Sequence, residues 1–151
     1  MSDNKIFDPE KLEILEFKYI KGQVDTPEDF DADKVEGNHL SNSIQLGFNI
    51  DEKLIKSDIF IEIKTDSKGG NKVEAIGSFH FVYIFRAENL LDLLKIENEN
   101  IVELNPGMSN ALSSITYSTS RGILLTRLQG TALQKFILPV VNPDKLLNTK
   151  Q

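Results

Sequence analysis

Ser113-Ser-Ile-Thr-Tyr-Ser-Thr-Ser-Arg-Gly-Ile-Leu-Leu125, then Leu128-Gln-Gly-Thr131, then Ile137-Leu-Pro-Val-Val-Asn-Pro-Asp144, is the stretch that orders the rest of this 151-residue chain. Its spacing predicts a long helix from Ser109 to about Leu128, close to 30 Å at ~1.5 Å per residue. Gly130 stops it, and an extended apolar strap with two prolines follows. Six of the eight residues from Ser113 to Ser120 are Ser or Thr. These are mediocre helix formers, so packing rather than propensity must hold the segment. Small side chains let a neighbouring backbone come close, and Gly122 extends that thin face by one turn. With Ile123 and Leu124 beside them, Ile115, Thr119, Arg121, Gly122 and Leu125 are the candidate interface of a homo-oligomer, a dimer or a tetramer. Arg121 is the one charge from Met108 to Leu125. It fits an ion pair or stacked contact across that interface as well as a solvent-facing end of the stripe.

Outward from the helix, the pattern turns to strands. Leu12 to Ile20 alternates apolar and polar with a phase slip at Ile14-Leu15, the mark of a bulge. Thr26 to Asn42 reads as a long polar connection rich in Asp and Glu, holding Phe30, Val35 and Leu40 as its sizeable apolar residues. Ile44, Leu46, Phe48 and Ile50 alternate as a second strand. Ile59, Ile61 and Ile63 mark a third, and the Ser67–Asn71 turn cluster predicts a hairpin. The returning strand carries Phe79, Phe81, Tyr83 and Phe85 on one face and Ile76, Val82 and Ile84 on the other. A strand apolar on both faces is central in its sheet. One helix covers one face, so the second is expected to meet a partner subunit, a loop or a bound chain. Glu88 to Ile96 reads as a short helix and Asn105-Pro-Gly107 as a break.

Composition bounds the function. The chain is expected to form a single domain over residues 1–151. Hydrophobic residues are 40% and charged residues 26%, ordinary for a globular protein. No apolar run approaches the ~20 residues of a membrane span, and the N-terminus lacks the pattern of a signal peptide. Cysteine is absent, which fits a cytoplasmic protein. The net charge of −6 repels phosphate backbones, so nucleic acid is a poor partner.

Catalytic constellations are thin. His39 and His80 share no metal-ligand spacing, and His80 reads as a hydrogen-bonded sheet residue. Gly69-Gly70 lacks the Lys-Ser/Thr of a phosphate loop, and no serine sits in a Gly-x-Ser-x-Gly elbow. The expectation is a protein that is not an enzyme and uses no cofactor and no metal. The strap Phe136-Ile-Leu-Pro-Val-Val141 has the stronger claim to function, because Pro139 bars it from a central strand.

Tyr117 and Arg121 on the long helix, Gly130-Thr131 at its stop, and Leu138, Val141, Asn142, Asp144 and Leu146 in the strap resemble the SecB family of protein-export chaperones. The order of elements is similar over nearly the whole chain. The resemblance implies an α+β fold: a four-stranded antiparallel sheet with a long C-terminal helix packed on one face, ending in a short helix. It implies an ATP-independent chaperone that holds unfolded or precursor polypeptides in protein export, assembling through the long helix and the first strand. The groove residues it points to are Phe30, Val35, Leu40, Val140, Val141, Leu146 and Leu147. It also implies the translocation motor ATPase as a partner, although the acidic docking residues have no match here. Relatives dedicated to toxin–antitoxin pairs make an antitoxin the alternative partner. An oligomeric adaptor on the same fold, without unfolded clients, is the competing class.

Overall fold

The computed structural model describes residues 6–69 and 73–147. Four long strands, β1 (Leu12–Asp25), β2 (Val35–Asn49), β3 (Leu54–Ser67) and β4 (Ile76–Ala87), form one antiparallel sheet in the order β1-β4-β3-β2. A small hairpin, β5 (Leu94–Glu97) and β6 (Asn100–Leu104), leads into the single long helix α1 (Pro106–Arg127). The expected α+β architecture is the observed one.

Period-two alternation decides the two faces of the sheet. Ile55, Ser57, Ile59, Ile61 and Ile63 of β3 stand in register with Phe85, Tyr83, Phe81, Phe79 and Gly77 of β4 and point toward α1; all of them are buried. The predicted bulge in β1 is present as a register shift between Ile14 and Glu16, and a second shift lies between Tyr19 and Lys21. On the other face, Val82 is 2% exposed although no second layer covers the sheet among the described residues. It sits between Lys18 and Asp58, its cross-strand neighbours on β1 and β3.

Three elements differ from the sequence reading. The polar connection ends at Lys34, because Val35–Asn42 belongs to β2 and pairs with Ile61–Ser67. This half of an edge strand holds its place by backbone hydrogen bonds and shows few apolar side chains, so hydrophobic periodicity cannot see it. The segment read as a short helix at Glu88–Ile96 is a 3-10 turn, Leu90–Leu93, followed by β5. The β5–β6 turn holds Asn98 and Glu99 at φ 51° and 67°, a hairpin bend made without glycine. The helix begins at Pro106 rather than Ser109, since Asn105 Oδ1 accepts the Met108 amide at 3.1 Å and Pro106 occupies the first turn. Both are standard helix-start chemistry. The stop at Gly130 is as expected, with φ +79°.

Packing holds the helix, and part of that packing is polar. Met108, Leu112, Thr116, Ser120 and Leu124 recur every fourth residue and are buried against the sheet. Ser57 Oγ and Thr116 Oγ1 share a hydrogen bond at 2.8 Å, and Tyr83 OH and Ser120 Oγ share one at 2.9 Å. Ser57 and Tyr83 are cross-strand partners, while Thr116 and Ser120 are one helical turn apart, so the two bonds form a clasp. Two of the six Ser and Thr residues in the run, Thr116 and Ser120, thus bond the chain's own sheet rather than a neighbouring subunit.

Replacing Tyr83 with Phe strands the Ser120 hydroxyl in a buried site and is expected to cost about 1–3 kcal/mol. The double variant Tyr83→Phe, Ser120→Ala should cost less than the sum of the two single changes. Chemical denaturation of the four proteins of the cycle measures both. Burial also raises the pKa of the Tyr83 and Tyr117 hydroxyls above the usual phenol value, partly offset by Ser120 and by the Arg121 charge respectively. Both phenols are protonated below pH ~10 in either state and ionise first in the unfolded chain, so their contribution is lost as pH rises beyond that point. Denaturation midpoints measured across the alkaline range should fall, and Tyr83→Phe should flatten the decline.

Candidate functional site

The strap after α1 is anchored at intervals that leave apolar residues facing out. Leu133 is buried, and its Cδ1 lies 2.6 Å from where a Cβ on Gly77 would sit. Glycine at that point of β4 therefore makes room for the strap. Leu138 is 2% exposed, and the Tyr117 hydroxyl donates to the Pro139 carbonyl at 2.5 Å. Between and beyond these anchors Ile137 is 59% and Val140 90% exposed. Lacking a helix or sheet pattern, the strap is held by side-chain anchors and one carbonyl.

The strap then meets the far edge of the sheet. A 3-10 turn at Pro143–Lys145 leads to Leu146, whose carbonyl accepts the Ile44 amide at 3.0 Å, and Leu147 forms a parallel bridge with Ile44. Leu146 is 7% exposed and belongs to the core. It offers almost no surface to a ligand and acts as a staple. Phe30, Leu40, Val141 and Leu147 are half-buried and pack against the core. Val35 is half-buried and pairs with Ser67 at the start of β2. Val140 stands in the strap as its most exposed large side chain. Ile137, which the sequence reading passed over, joins it; its three-residue spacing from Val140 across Pro139 was the available signal.

A second apolar surface lies at the opposite edge. Along β1, Ile14 is 50% exposed, Leu15 50%, Phe17 40%, Tyr19 39% and Ile20 53%. Phe17 rests on Phe81 and Tyr83, and Tyr19 on Phe81, with centroids 5.2–5.7 Å apart. Tyr19 lies over Gly22, where a Cβ would sit 1.6 Å from its hydroxyl oxygen, so a side chain there would turn the tyrosine ring aside. Arg127 at the end of α1 stacks over Tyr19 at 5.0 Å. On the helix itself, Thr119, Gly122 and Leu125 are exposed, while Ile115 and Arg121 are half-buried. No atom lies within 4 Å of a Cβ built on Gly122. Arg121 sits 5.8 Å from the centroid of the Tyr117 ring. The β1 residues were legible as a strand, but their alternation gave no sign that both faces would stay wet.

The outer sheet face carries a different chemistry. His80 Nε2–H donates to Asp58 at 2.7 Å, and the imidazole stacks on Phe60 at 4.2 Å. Lys56 lies 3.5 Å from the same carboxylate. Tyr83 lies on the opposite face, pointing inward to Ser120. Among the described residues no cluster of His, Asp and Glu is arranged to hold a metal, and no helix is long and apolar enough to cross a membrane.

No known family and no curated protein matches the sequence. Solved structures do match the fold. A Mycobacterium tuberculosis protein, the SecB-like chaperone Rv1957, solved in complex with a ChAD peptide from the HigA1 antitoxin, superposes with a TM-score of 0.63 at 12% identity. The match covers 88% of this chain and 92% of that one. A Streptococcus agalactiae protein of unknown function reaches a TM-score of 0.33 at 10% identity, over 85% of this chain and 97% of that one, too low to argue from. What the first comparison establishes is architecture: the four-stranded sheet with its single long helix is a SecB-like fold.

Proposed function

We propose that this protein is an ATP-independent chaperone that holds unfolded polypeptides in the cytoplasm. The observation that carries the reading is the anchored strap, which keeps Ile137 and Val140 in solvent between its buried anchors Leu133, Leu138 and Leu146. Large apolar side chains fixed in an exposed position cost solvation unless something binds them. Non-directional burial at about 25 cal/mol per Å² suits clients of no fixed sequence. The absence of a nucleotide-binding signature in the sequence fits a holding activity rather than a driven one.

Assembly follows from the other edge. The apolar length of β1 and the thin face of α1 at Gly122 and Leu125 are the two surfaces on which further copies would pack, giving a dimer or a tetramer. An obligate contact of this kind buries ~2,000 Å² or more. The antitoxin peptide in the structurally similar chaperone favours a dedicated antitoxin as client; export precursors, handed to a translocation motor, are the other reading. Sequencing of the polypeptides that co-purify from the native cells separates the two.

Three outcomes are expected. Stoichiometric protein should suppress the aggregation of α-lactalbumin that follows reduction of its disulfides, without nucleotide, and no suppression at several-fold excess would favour the adaptor class. The variant Ile137→Asp with Val140→Asp should lose that activity while its melting temperature and size stay those of the parent, because both side chains are exposed and a bound chain would have to desolvate the carboxylates. Light scattering should return a multiple of 17.0 kDa, and Gly122→Trp should shift it toward the monomer. A parent that scatters as 17.0 kDa would remove the interface.

A further inference from the structure

We infer that β2 receives its client as an added strand, on the backbone groups of Asn38, Leu40 and Asn42. This rests on the chaperone reading and specifies how that site recognises an extended segment. The register fixes which groups are free. The Ile44 amide bonds outward to Leu146 rather than to β3. In an antiparallel ladder the residues two apart share that direction, so Asn38, Leu40, Asn42, Leu46 and Phe48 also present N–H and C=O to the open edge. Their odd-numbered neighbours bond β3 instead. Among the described residues Ile44 is the one member of this row whose outward amide has a backbone partner.

That partner shows what the edge accepts. The chain's own Leu146 and Leu147 lie against Ile44 as a parallel bridge, an extended apolar segment held by main-chain pairing. The bridge does not continue toward Asn42, because the chain turns through the 3-10 helix Pro143–Lys145 and leaves for the strap. The tail therefore marks one end of a vacant stretch, and the start of β2 at Val35 marks the other. Asn38 to Asn42 spans about 14 Å at ~3.4 Å per residue, room for a segment of about five residues. The side chains of this row point to the helix side of the sheet, where Leu40 is half-buried against the core and leaves part of its surface open. The occupant is an unfolded segment with apolar residues at alternate positions, its backbone satisfied by β2 and its side chains resting beside Leu40. Main-chain pairing supplies affinity without demanding a sequence.

Amide hydrogen exchange, read residue by residue by NMR with and without bound carboxymethylated α-lactalbumin, tests this. Asn38, Leu40 and Asn42 should gain about tenfold protection or more, while Gly37, His39 and Ser41 stay unchanged. Binding without that alternating gain would overturn strand addition and leave the chaperone reading standing. No binding at all would overturn both. As a second arm, Asn42→Pro removes an outward N–H that β3 does not use, a position where proline is tolerated. It should weaken binding about tenfold or more at an unchanged melting temperature. Parental affinity in a stable Asn42→Pro variant would count against the edge.

Discussion

Everything in this fold depends on how α1 is fixed on the sheet, and the clasp of Ser57–Thr116 and Tyr83–Ser120 fixes it. A helix rich in Ser and Thr gains little from its own propensity. The alternating isoleucines and aromatics beneath it supply most of the driving force, but an apolar face is indifferent to a few degrees of rotation. Two buried hydroxyl pairs are not. Sliding or turning the helix would leave up to four polar groups unsatisfied in a dry interface, at about 1–3 kcal/mol each. The clasp therefore sets which residues of α1 look outward, and so it determines that Thr119, Gly122 and Leu125 form the exposed face.

The same orientation governs the strap. Tyr117 lies on the helix between Thr116 and Ser120, and its hydroxyl reaches the Pro139 carbonyl only from that rotation. Leu133 seated over Gly77 and Leu138 in the core complete the anchoring. The two ends of the sheet are thereby given different characters. β1 stays open along an apolar edge, while β2 is partly closed by the end of the strap. The helix covers the middle, leaving one margin for a second copy and the other for a client in the proposed reading.

Much of the fold was legible because its signals are periodic. The alternation of Phe79 to Phe85, the isoleucines of β3 and the phase slip in β1 each report a face or a bulge directly. Gly130 reports the helix stop through backbone chemistry, whereas Asn105-Pro106 reads as a break and instead opens the helix. The first half of β2 was not legible, since Asn38, Ser41 and Asn42 hold an edge strand through backbone bonds that composition does not encode. The β5–β6 hairpin was hidden in Leu-Leu-Asp-Leu-Leu, a run that satisfies a helix period while its neighbours pair as strands.

The candidate site divides along the same line. By itself the sequence determined that a long, weakly helical segment must be held by packing, that an apolar proline-containing strap follows it, and that the chain is acidic and free of cysteine. Tertiary structure alone decided that Leu146 is a core staple while Val140, six residues earlier, is bare to solvent. No periodicity distinguishes them, because the strap has none: exposure there is set by which residues the core happens to anchor. It decided likewise that Ser and Thr of one run divide between a buried clasp and an open face. Hydroxyl side chains suit both surroundings, and only the position of Ser57 and Tyr83 across the interface tells them apart.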